Sequence, residues 1–476
     1  MKVSSSTFLS QKKILLKQLL ERLCKEYDYA SVLASDTFSK TYRVSKRGTV
    51  IAEDSLLSTR GYVIKVYDGK GYAEYSFNCL EKDNIEDILK KIRKHLIPLS
   101  SFLPGGVTES EYAHIPDEPM TLLKSTEYEE DPILTGDEKI IEKLTAISEK
   151  GRAYDKKIAD CNASIGYQYI HKMFLSPNRD LEQNILWTNG SISALASKGE
   201  EIKDYYKSFS CLGGTEILDQ MMDYTTLCCK NAIELLDSAP ITPGLYDCVC
   251  TPDVTGMIVH EAFGHGVEMD MFVKNRALAK QYIGEYVASP LVTMHDGACA
   301  AKQTATFFFD DEGTLAHDTV IIENGILKQG ISDAQSAMHL HTKPTGNGRR
   351  ESFERKAYTR MTNTYFEGGK DSVEDMISSI SYGFLLDNPS SGMEDPKNWG
   401  IQCMVNVARE IKDGKLTGRI FSPIVLTGYV PDLLKSITMM SDTVELGGGG
   451  FCGKGYKEWV KVSDGGPYMK AKIRLG

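Results

Sequence analysis

The sequence predicts an α+β fold, in which an N-terminal antiparallel sheet with helices precedes a β-rich domain that carries one prominent helix. Residues 29–78 alternate between apolar and polar side chains and are interrupted by glycine turns, as antiparallel strands are. Helical periodicity flanks this region on both sides. From Leu245 onward, short strand patterns and glycine turns surround a single helical stretch, TPDVTGMIVHEAFGH.

The N-terminal domain is expected at residues 1–240. Its opening segment has leucines on one face of an amphipathic helix: Leu16, Leu19, Leu20 and Leu23. After the strands of 29–78, we expect a helix at 84–96, a Pro- and acid-rich link at about 105–136 that marks a possible sub-boundary, a helix at 137–158, strands at 161–209 and a helix at about 215–238. The Asn-Gly pair of WTNGS, at 187–191, favours a tight turn within those strands.

The C-terminal domain is expected at residues 241–476. LYDCVCT, which begins at Leu245, is typical of a buried strand. The helix after it begins with Pro252, a residue favoured at the first helical position. The rest of the domain is rich in short strands and ends in glycine-rich segments, among them GGGGFCGKG.

Composition restricts the classes of partner and the compartment. The net charge is −10 and no long block of Lys or Arg occurs, so we expect neither a nucleic-acid nor a membrane partner. No apolar run approaches the ~20 residues that span a bilayer, and Lys17 and Glu21 interrupt the N-terminal helix too early for a signal peptide. The 11 cysteines form no C-x-x-C pair, which indicates reduced thiols and a cytoplasmic location.

The segment VHEAFGHG contains His260, Glu261 and His265 in the order H-E-x-x-x-H, one residue longer than the zinc-protease motif H-E-x-x-H. Residues five apart lie ~140° apart around a regular helix, so both histidines cannot face one ion. Either a π-bulge between them or a helix end at Gly264 would remove this obstacle, because glycine tolerates a distorted backbone and stops helices.

A catalytic zinc site needs a third protein ligand and leaves one position open. The spacing of residues leaves several candidates for that ligand: Cys452, Glu268, Asp270, His295, His317, His339 and His341. Glu268 and Asp270 are close to the motif in the chain. Cys452 lies among glycines that let the backbone approach a metal or a substrate closely.

The segment from His260 to His265 resembles the H-E-x-x-x-H motif of the TldD/PmbA family of metalloproteases. The similarity continues through DDEGT (310–314), IENGILKQG (322–330), TGNGRRESF (345–353), RMTNTY (360–365), GFCGKG (450–455) and SDGGP (463–467). These motifs cover about residues 245–470, and the N-terminal region matches more loosely through STRGYVIKVYDGKGYAEYS. The chain is similar to the TldD side of the family, which keeps the zinc motif that the PmbA (TldE) side lacks.

The resemblance implies a Zn²⁺ ion held by His260, His265 and Cys452, with Glu261 as general base. It implies hydrolysis of small or unstructured peptides through metal-activated water. It also implies a dimer, either of two identical chains or with a PmbA-like (TldE-like) partner.

Three further residues are candidate substrate-binding groups. Arg349 and Arg350 could hold a peptide carboxylate, since guanidinium groups bind carboxylates through two parallel hydrogen bonds. Asn363 could contact an extended peptide that pairs with the RMTNTY segment like an added strand.

Two alternatives to a zinc peptidase stay open at this point. A non-catalytic zinc protein would use the same ligands for stability and act with a partner, although structural zinc usually has four protein ligands. A cysteine-dependent hydrolase would use Cys452 as nucleophile with a histidine base.

Overall fold

The computed structural model describes residues 1–53, 57–69, 71–95, 115, 117–455 and 458–476. The elements of the N-terminal half are α1 (Thr7–Leu23), β1 (Tyr29–Ser45), β2 (Gly48–Ala52), β3 (Arg60–Tyr67), β4 (Tyr72–Phe77), α2 (Ile85–His95), β5 (Met120–Ser125), α3 (Pro132–Thr135), α4 (Asp137–Ala153), β6 (Ile158–Leu175), β7 (Arg179–Lys198), β8 (Glu201–Cys211) and α5 (Ile217–Leu235).

These strands form one eight-stranded sheet with the order β4-β3-β1-β6-β7-β5, to which β2 adds at β1 and β8 at β7. The long strands β1 and β6 pair from Val32 opposite Leu175 to Val44 opposite Ala163. The segments before and after the link at 105–136 therefore share one sheet; residues 105–114 and 116 of that link lie outside the described residues, and β5 and α3 occupy part of the rest. Helices α1 and α4 both pack on this sheet.

The predicted turn at WTNGS is wrong. Residues 187–191 lie inside β7, where Asn189 is opposite Gly166 of β6 and Ser210 of β8. Pairing on both sides holds this stretch extended, so that tertiary contacts override the local preference of an Asn-Gly pair for a turn.

The elements of the C-terminal half are β9 (Gly244–Cys250), α6 (Pro252–Val259), α7 (Met269–Val273), β10 (Met294–Asp296), β11 (Thr319–Glu323), β12 (Ile326–Leu327), α8 (Ala334–His339), β13 (Gly348–Arg349), β14 (Tyr358–Thr359), β15 (Asn363–Phe366), α9 (Val373–Ser378), β16 (Tyr382–Asp395), β17 (Gly400–Lys412), β18 (Lys415–Phe421), β19 (Ile424–Tyr429), α10 (Val430–Lys435), β20 (Met439–Met440), β21 (Glu445–Gly447), β22 (Phe451–Lys454), β23 (Glu458–Lys461), β24 (Ser463–Gly466) and β25 (Met469–Leu475).

Two sheets enclose α6. In the first sheet the pairing β16-β9-β25-β19-β17 closes on itself, because β17 also pairs with β16. The second sheet has the order β12-β11-β10-β15-β24-β21. Helix α6 packs against β16 on one side and β24 on the other, and its apolar residues belong to the largest core. This architecture confirms the predicted α+β fold, with a β-rich second half around one prominent helix.

Buried ion pairs connect the two halves of the chain. Lys65 of β3 forms ion pairs with Glu312 and, at 3.3 Å, with Glu74. Arg350 contacts Glu74 at 2.5 Å, and Lys172 of β6 pairs with Asp311. A charge buried without an opposite charge nearby is destabilising. These pairs therefore favour the arrangement in which the two halves bring the opposite charges together. In the part of the chain that the structure describes, no helix is long and apolar enough to cross a membrane.

Replacing Lys65 by methionine should destabilise the protein. The variant would leave the Glu312 carboxylate buried without its cation, a loss that typically costs about 3–5 kcal/mol of unfolding free energy. The measurement is the urea midpoint of unfolding. Lys198→Met is the matched control, because Lys198 pairs with Asp237 on the exposed surface and its loss should leave the midpoint unchanged. Equal midpoints for Lys65→Met and the unaltered protein would contradict the expectation.

Candidate metal centre

Helix α6 ends at Val259, and the H-E-x-x-x-H segment continues from it as a π-helical turn over His260–Gly264. A 3₁₀ turn over His265–Val267 follows. The N–H of His265 donates to the carbonyl of His260, the i→i+5 bond of a π turn. The two imidazole rings consequently lie 5.1 Å apart, centroid to centroid. The predicted deformation between the histidines is confirmed.

Gly264 serves this turn in a different way from the one predicted. Its φ of −61° is ordinary right-handed helix, so neither a strained backbone nor a left-handed stop is present. A Cβ at this position would collide with the sulfur of buried Met361. Glycine is thus required here by the close approach of a neighbouring side chain.

Cys452 reaches the two histidines from the hairpin formed by β22 and β23. Its Sγ lies 3.2 Å from His265 Nε2. One ligand atom from each of His260, His265 and Cys452 lies within 4.8 Å of the others. Among the described residues, this is the single cluster of three or more His, Cys, Asp or Glu side chains that could hold a metal ion. The other candidates for a third ligand lie outside it.

Glu268 contacts the ring nitrogen of His265 that faces away from Cys452. Its Oε2 lies 3.3 Å from His265 Nδ1 and forms an ion pair with the Nζ of Lys454 at 2.9 Å. Burial opposes ionisation, but Lys454, His265 and Arg360 lower the pKa of Glu268 to about 2, so it is a carboxylate. A carboxylate on the far ring nitrogen orients a histidine and leaves the other nitrogen free for a ligand.

Arg360 anchors the Cys452 hairpin, a role that the sequence did not reveal. The buried guanidinium donates to the carbonyl of Cys452 at 2.7 Å and to that of Glu458 at 2.9 Å. Its Nε lies 3.6 Å from Glu268. In the RMTNTY segment the sequence pattern indicated Asn363, whereas Arg360, the first residue of the segment, is the one that contacts the Cys452 hairpin.

The charges of the site favour a thiolate. Burial raises the pKa of Cys452, but His265 and hydrogen bonds to both histidines lower it to about 5. Burial opposes protonation of His260, yet the contact with Cys452 raises its pKa above the usual value. Two imidazoles therefore face one anionic sulfur.

Glu261 lies beside these residues on the wall of a cleft of about 940 Å³. The side chain is 9% exposed, and burial raises its pKa above the usual value. Gly392 of β16 packs directly on it, and a Cβ there would collide with the Glu261 side chain. The opposite wall includes Tyr206, Lys207 and Ser208 of β8 from the N-terminal half.

The residues predicted to bind substrate do not line this cleft. Arg350 is buried in its ion pair with Glu74, and Arg349 donates to the carbonyl of Met361 at 2.6 Å. Asn363 is buried, and its amide donates to loop carbonyls such as Gly297 O at 3.1 Å. Its strand β15 pairs with β10 and with β24, so it has no free edge for an added peptide. That part of the sequence interpretation is corrected.

Two imidazoles, a thiolate and a buried carboxylate at an open cleft are groups that can hold a metal ion and transfer a proton. Comparisons with known proteins agree. Residues 243–474 match the family model described as the PmbA/TldA metallopeptidase C-terminal domain. A Metalloprotease TldD homolog of Buchnera aphidicola is 31% identical over 70% of this chain and 71% of its own length. The chain belongs to the TldD/PmbA family.

Two further comparisons extend over nearly the whole chain. A metalloprotease of Methanocaldococcus jannaschii is 26% identical over 94% of this chain and 96% of its own length. The crystal structure of TldE from Thermococcus kodakarensis has the same fold, with a TM-score of 0.75 and 17% identity over 96% of this chain and 99% of that one.

Replacing Arg360 by leucine should loosen the hairpin that carries Cys452. Two hydrogen bonds from a buried cation would be lost, each worth about 1.5–3 kcal/mol, so backbone amides at 451–461 should exchange with solvent at least ~10-fold faster. Hydrogen-exchange mass spectrometry measures this rate. Arg22→Leu, at an exposed pair with Glu86, is the control and should leave it unaltered. Unchanged exchange in Arg360→Leu would show that the hairpin does not depend on this anchor.

Proposed function

We propose that this protein is a zinc-dependent peptidase in which His260, His265 and Cys452 hold the metal and Glu261 is the general base. The observation that carries the proposal is the convergence of the three donor atoms within 4.8 Å, beside a buried carboxylate at an open cleft. The cluster lies within residues 241–476, which we propose as the catalytic domain.

The donor set fits zinc. Zinc in proteins is bound by imidazole nitrogen and thiolate sulfur, and the lowered pKa of Cys452 supports a thiolate here. Three protein ligands are typical of catalytic sites, whereas structural sites usually have four. When bound, zinc supplies Lewis acidity, which polarises a carbonyl and acidifies a water molecule.

The chain's own residues supply the proton transfers. Glu261 is adjacent in sequence to His260 and buried beside it, and burial raises its pKa above the usual value, which makes it a stronger base than an exposed carboxylate. It accepts a proton from the attacking water and donates it to the leaving amine. Glu268 and Lys454 hold the His265 ring in place meanwhile.

We propose small or unstructured peptides as substrates. The cleft of about 940 Å³ accommodates an extended segment of a few residues, and a folded domain is too large for it. Within the described residues, β8 pairs with no strand other than β7, and Tyr206, Lys207 and Ser208 of β8 line the cleft, where the Asn388 amide donates to the Tyr206 carbonyl.

We further propose that the protein works as a dimer, with a second copy or with a TldE-like partner. What supports a TldE-like partner is the fold that this chain shares with TldE of Thermococcus kodakarensis. A cytoplasmic location is supported by cysteines that are all free thiols.

Glu261→Gln tests the central role. The amide cannot take up a proton, so kcat for peptide hydrolysis should fall about 10²–10⁴-fold while the zinc content stays at that of the unaltered protein. Activity against a quenched fluorescent peptide and metal analysis of the same sample provide both measurements. Glu445→Gln, on the exposed surface, is the control and should keep full activity. If Glu261→Gln retained full activity, the carboxylate would not be the base; a stable, zinc-containing but inactive unaltered protein would instead favour a non-catalytic zinc protein.

A cysteine-dependent hydrolase is the second candidate, because the 3.2 Å contact between Cys452 and His265 also suits a thiolate nucleophile with a histidine base. Metal removal separates the two. For the zinc peptidase we expect 1,10-phenanthroline to abolish activity and stoichiometric zinc to restore it, and Cys452→Ala to lose most of its zinc. Activity that survives removal of the metal but not treatment with iodoacetamide would establish the cysteine mechanism instead.

A further inference from the structure

Two adjoining cavities, of about 60 and 100 Å³, lie between the N-terminal sheet and the C-terminal half. Both are lined by four cationic side chains: Lys172, Arg349, Arg350 and Lys461. Phe451 and Trp459 form part of the wall of the larger cavity and also part of the wall of the peptidase cleft. We call the two together the interdomain cavity.

Lys461 lies on the same hairpin as Cys452 but on its other face. Phe451 pairs with Lys461 and Cys452 with Val460, and neighbouring residues of a strand point to opposite sides. The Lys461 side chain is therefore directed to the interdomain cavity, while Cys452 faces the metal centre.

The Lys461 ammonium has no anionic partner in the described part of the chain. The residue is 6% exposed, and its Nζ has no hydrogen-bond partner there. It lies 4.6 Å from the ring centroid of Trp187 and 4.5 Å from that of Phe451. Burial lowers the pKa of Lys461 to about 7. The two rings attract the cation without neutralising it.

Arg349 is a second such cation. Among the described residues its guanidinium forms no ion pair with a carboxylate; it donates to the Met361 carbonyl and lies 5.4 Å from the Phe307 ring. The other two cations are neutralised, Lys172 by Asp311 and Arg350 by Glu74. Two of the four lining cations, Lys461 and Arg349, thus lack an ion-pair partner among the described residues, while the carboxylates on the lining are Asp310, Asp311 and Glu351.

We propose that the interdomain cavity binds a small anion, a carboxylate or an inorganic oxyanion, between Lys461 and Arg349. Burial without a counter-charge disfavours the charged form of a lysine or arginine, and a bound anion offsets this effect. A guanidinium matches the geometry of carboxylates and phosphates, and an ammonium adds a point charge. A water molecule needs a cavity volume of roughly 10–15 Å³. The larger cavity, of about 100 Å³, therefore has room for one small polyatomic anion.

Hydroxyl groups at the same cavity complete the site. Ser35, Thr37 and Thr59 line its larger part; Thr37 already donates to the Thr59 carbonyl at 3.2 Å, so the Ser35 and Thr59 hydroxyls are the candidate donors to anionic oxygens. The anion contacts the back of the hairpin that carries Cys452, so its binding stabilises that hairpin without touching the metal centre.

The test is thermal unfolding of the full-length protein with inorganic phosphate or acetate, at an ionic strength held constant with sodium chloride. Because a ligand that binds the folded state alone stabilises it, we expect a saturable rise in Tm of roughly 2–4 °C with at least one probe. Lys461→Met and Arg349→Met should lose this rise. Lys461→Met should fold, because methionine packs well between aromatic rings and the substitution removes a buried charge.

Lys328→Met, at an exposed pair with Glu323, is the matched control and should keep the full response. A rise in Tm that is linear in anion concentration, or equal in Lys461→Met and the unaltered protein, would overturn the proposal. So would the absence of any rise with both probes. Since the measurement of Tm does not depend on peptide hydrolysis, the outcome of this first arm is independent of the proposed peptidase activity.

A second arm distinguishes the two sources of the anion. If the site takes the terminal carboxylate of a peptide in the cleft, amidation of the peptide C-terminus should raise KM in the unaltered protein but not in Lys461→Met. If it takes a free anion, amidation should leave KM unchanged in both, while phosphate or acetate still raises Tm.

Discussion

The i→i+5 hydrogen bond from the His265 amide to the His260 carbonyl is the interaction on which the candidate centre depends. Without it, the two histidines would point ~140° apart and no single ion could contact both. The π turn costs regular helical bonding, and it persists because its surroundings are closely packed. Met361 occupies the space that a side chain at Gly264 would need, and α6 is held between two sheets.

A network of buried charges holds the third proposed ligand against this turn. Arg360 donates to the hairpin backbone at Cys452, and Glu268 connects Arg360, Lys454 and His265. Each member compensates the charge of another, as buried ionic groups must. The thiolate state of Cys452 follows from its two histidine neighbours. The protein thereby prepares an anionic sulfur and two imidazoles for a cation.

The N-terminal half contributes to function through its position beside the site. Its sheet runs continuously from β4 to β8, and ion pairs such as Lys172–Asp311 dock it against the C-terminal half. This docking places Tyr206, Lys207 and Ser208 of β8 on the wall of the cleft beside the candidate metal centre. It also encloses the cavity that we propose as an anion site, between Trp187 of β7 and Lys461 of the Cys452 hairpin. One hairpin therefore faces both sites.

The sequence by itself determined the fold class, the local deformation at H-E-x-x-x-H and the position of Glu261 directly after His260. These features follow from periodicity and from spacing within one helix. It left several candidates for the third ligand until the family resemblance favoured Cys452, since Cys452 and His265 are 187 residues apart and short-range patterns do not report such contacts. Tertiary structure alone decided that WTNGS lies in a strand and that Arg349, Arg350 and Asn363 lie away from the cleft. Strand pairing on both sides of β7 decides the first of these positions, and burial between the two halves decides the others. Both depend on residues that are distant in the chain, so a local sequence pattern does not reveal them.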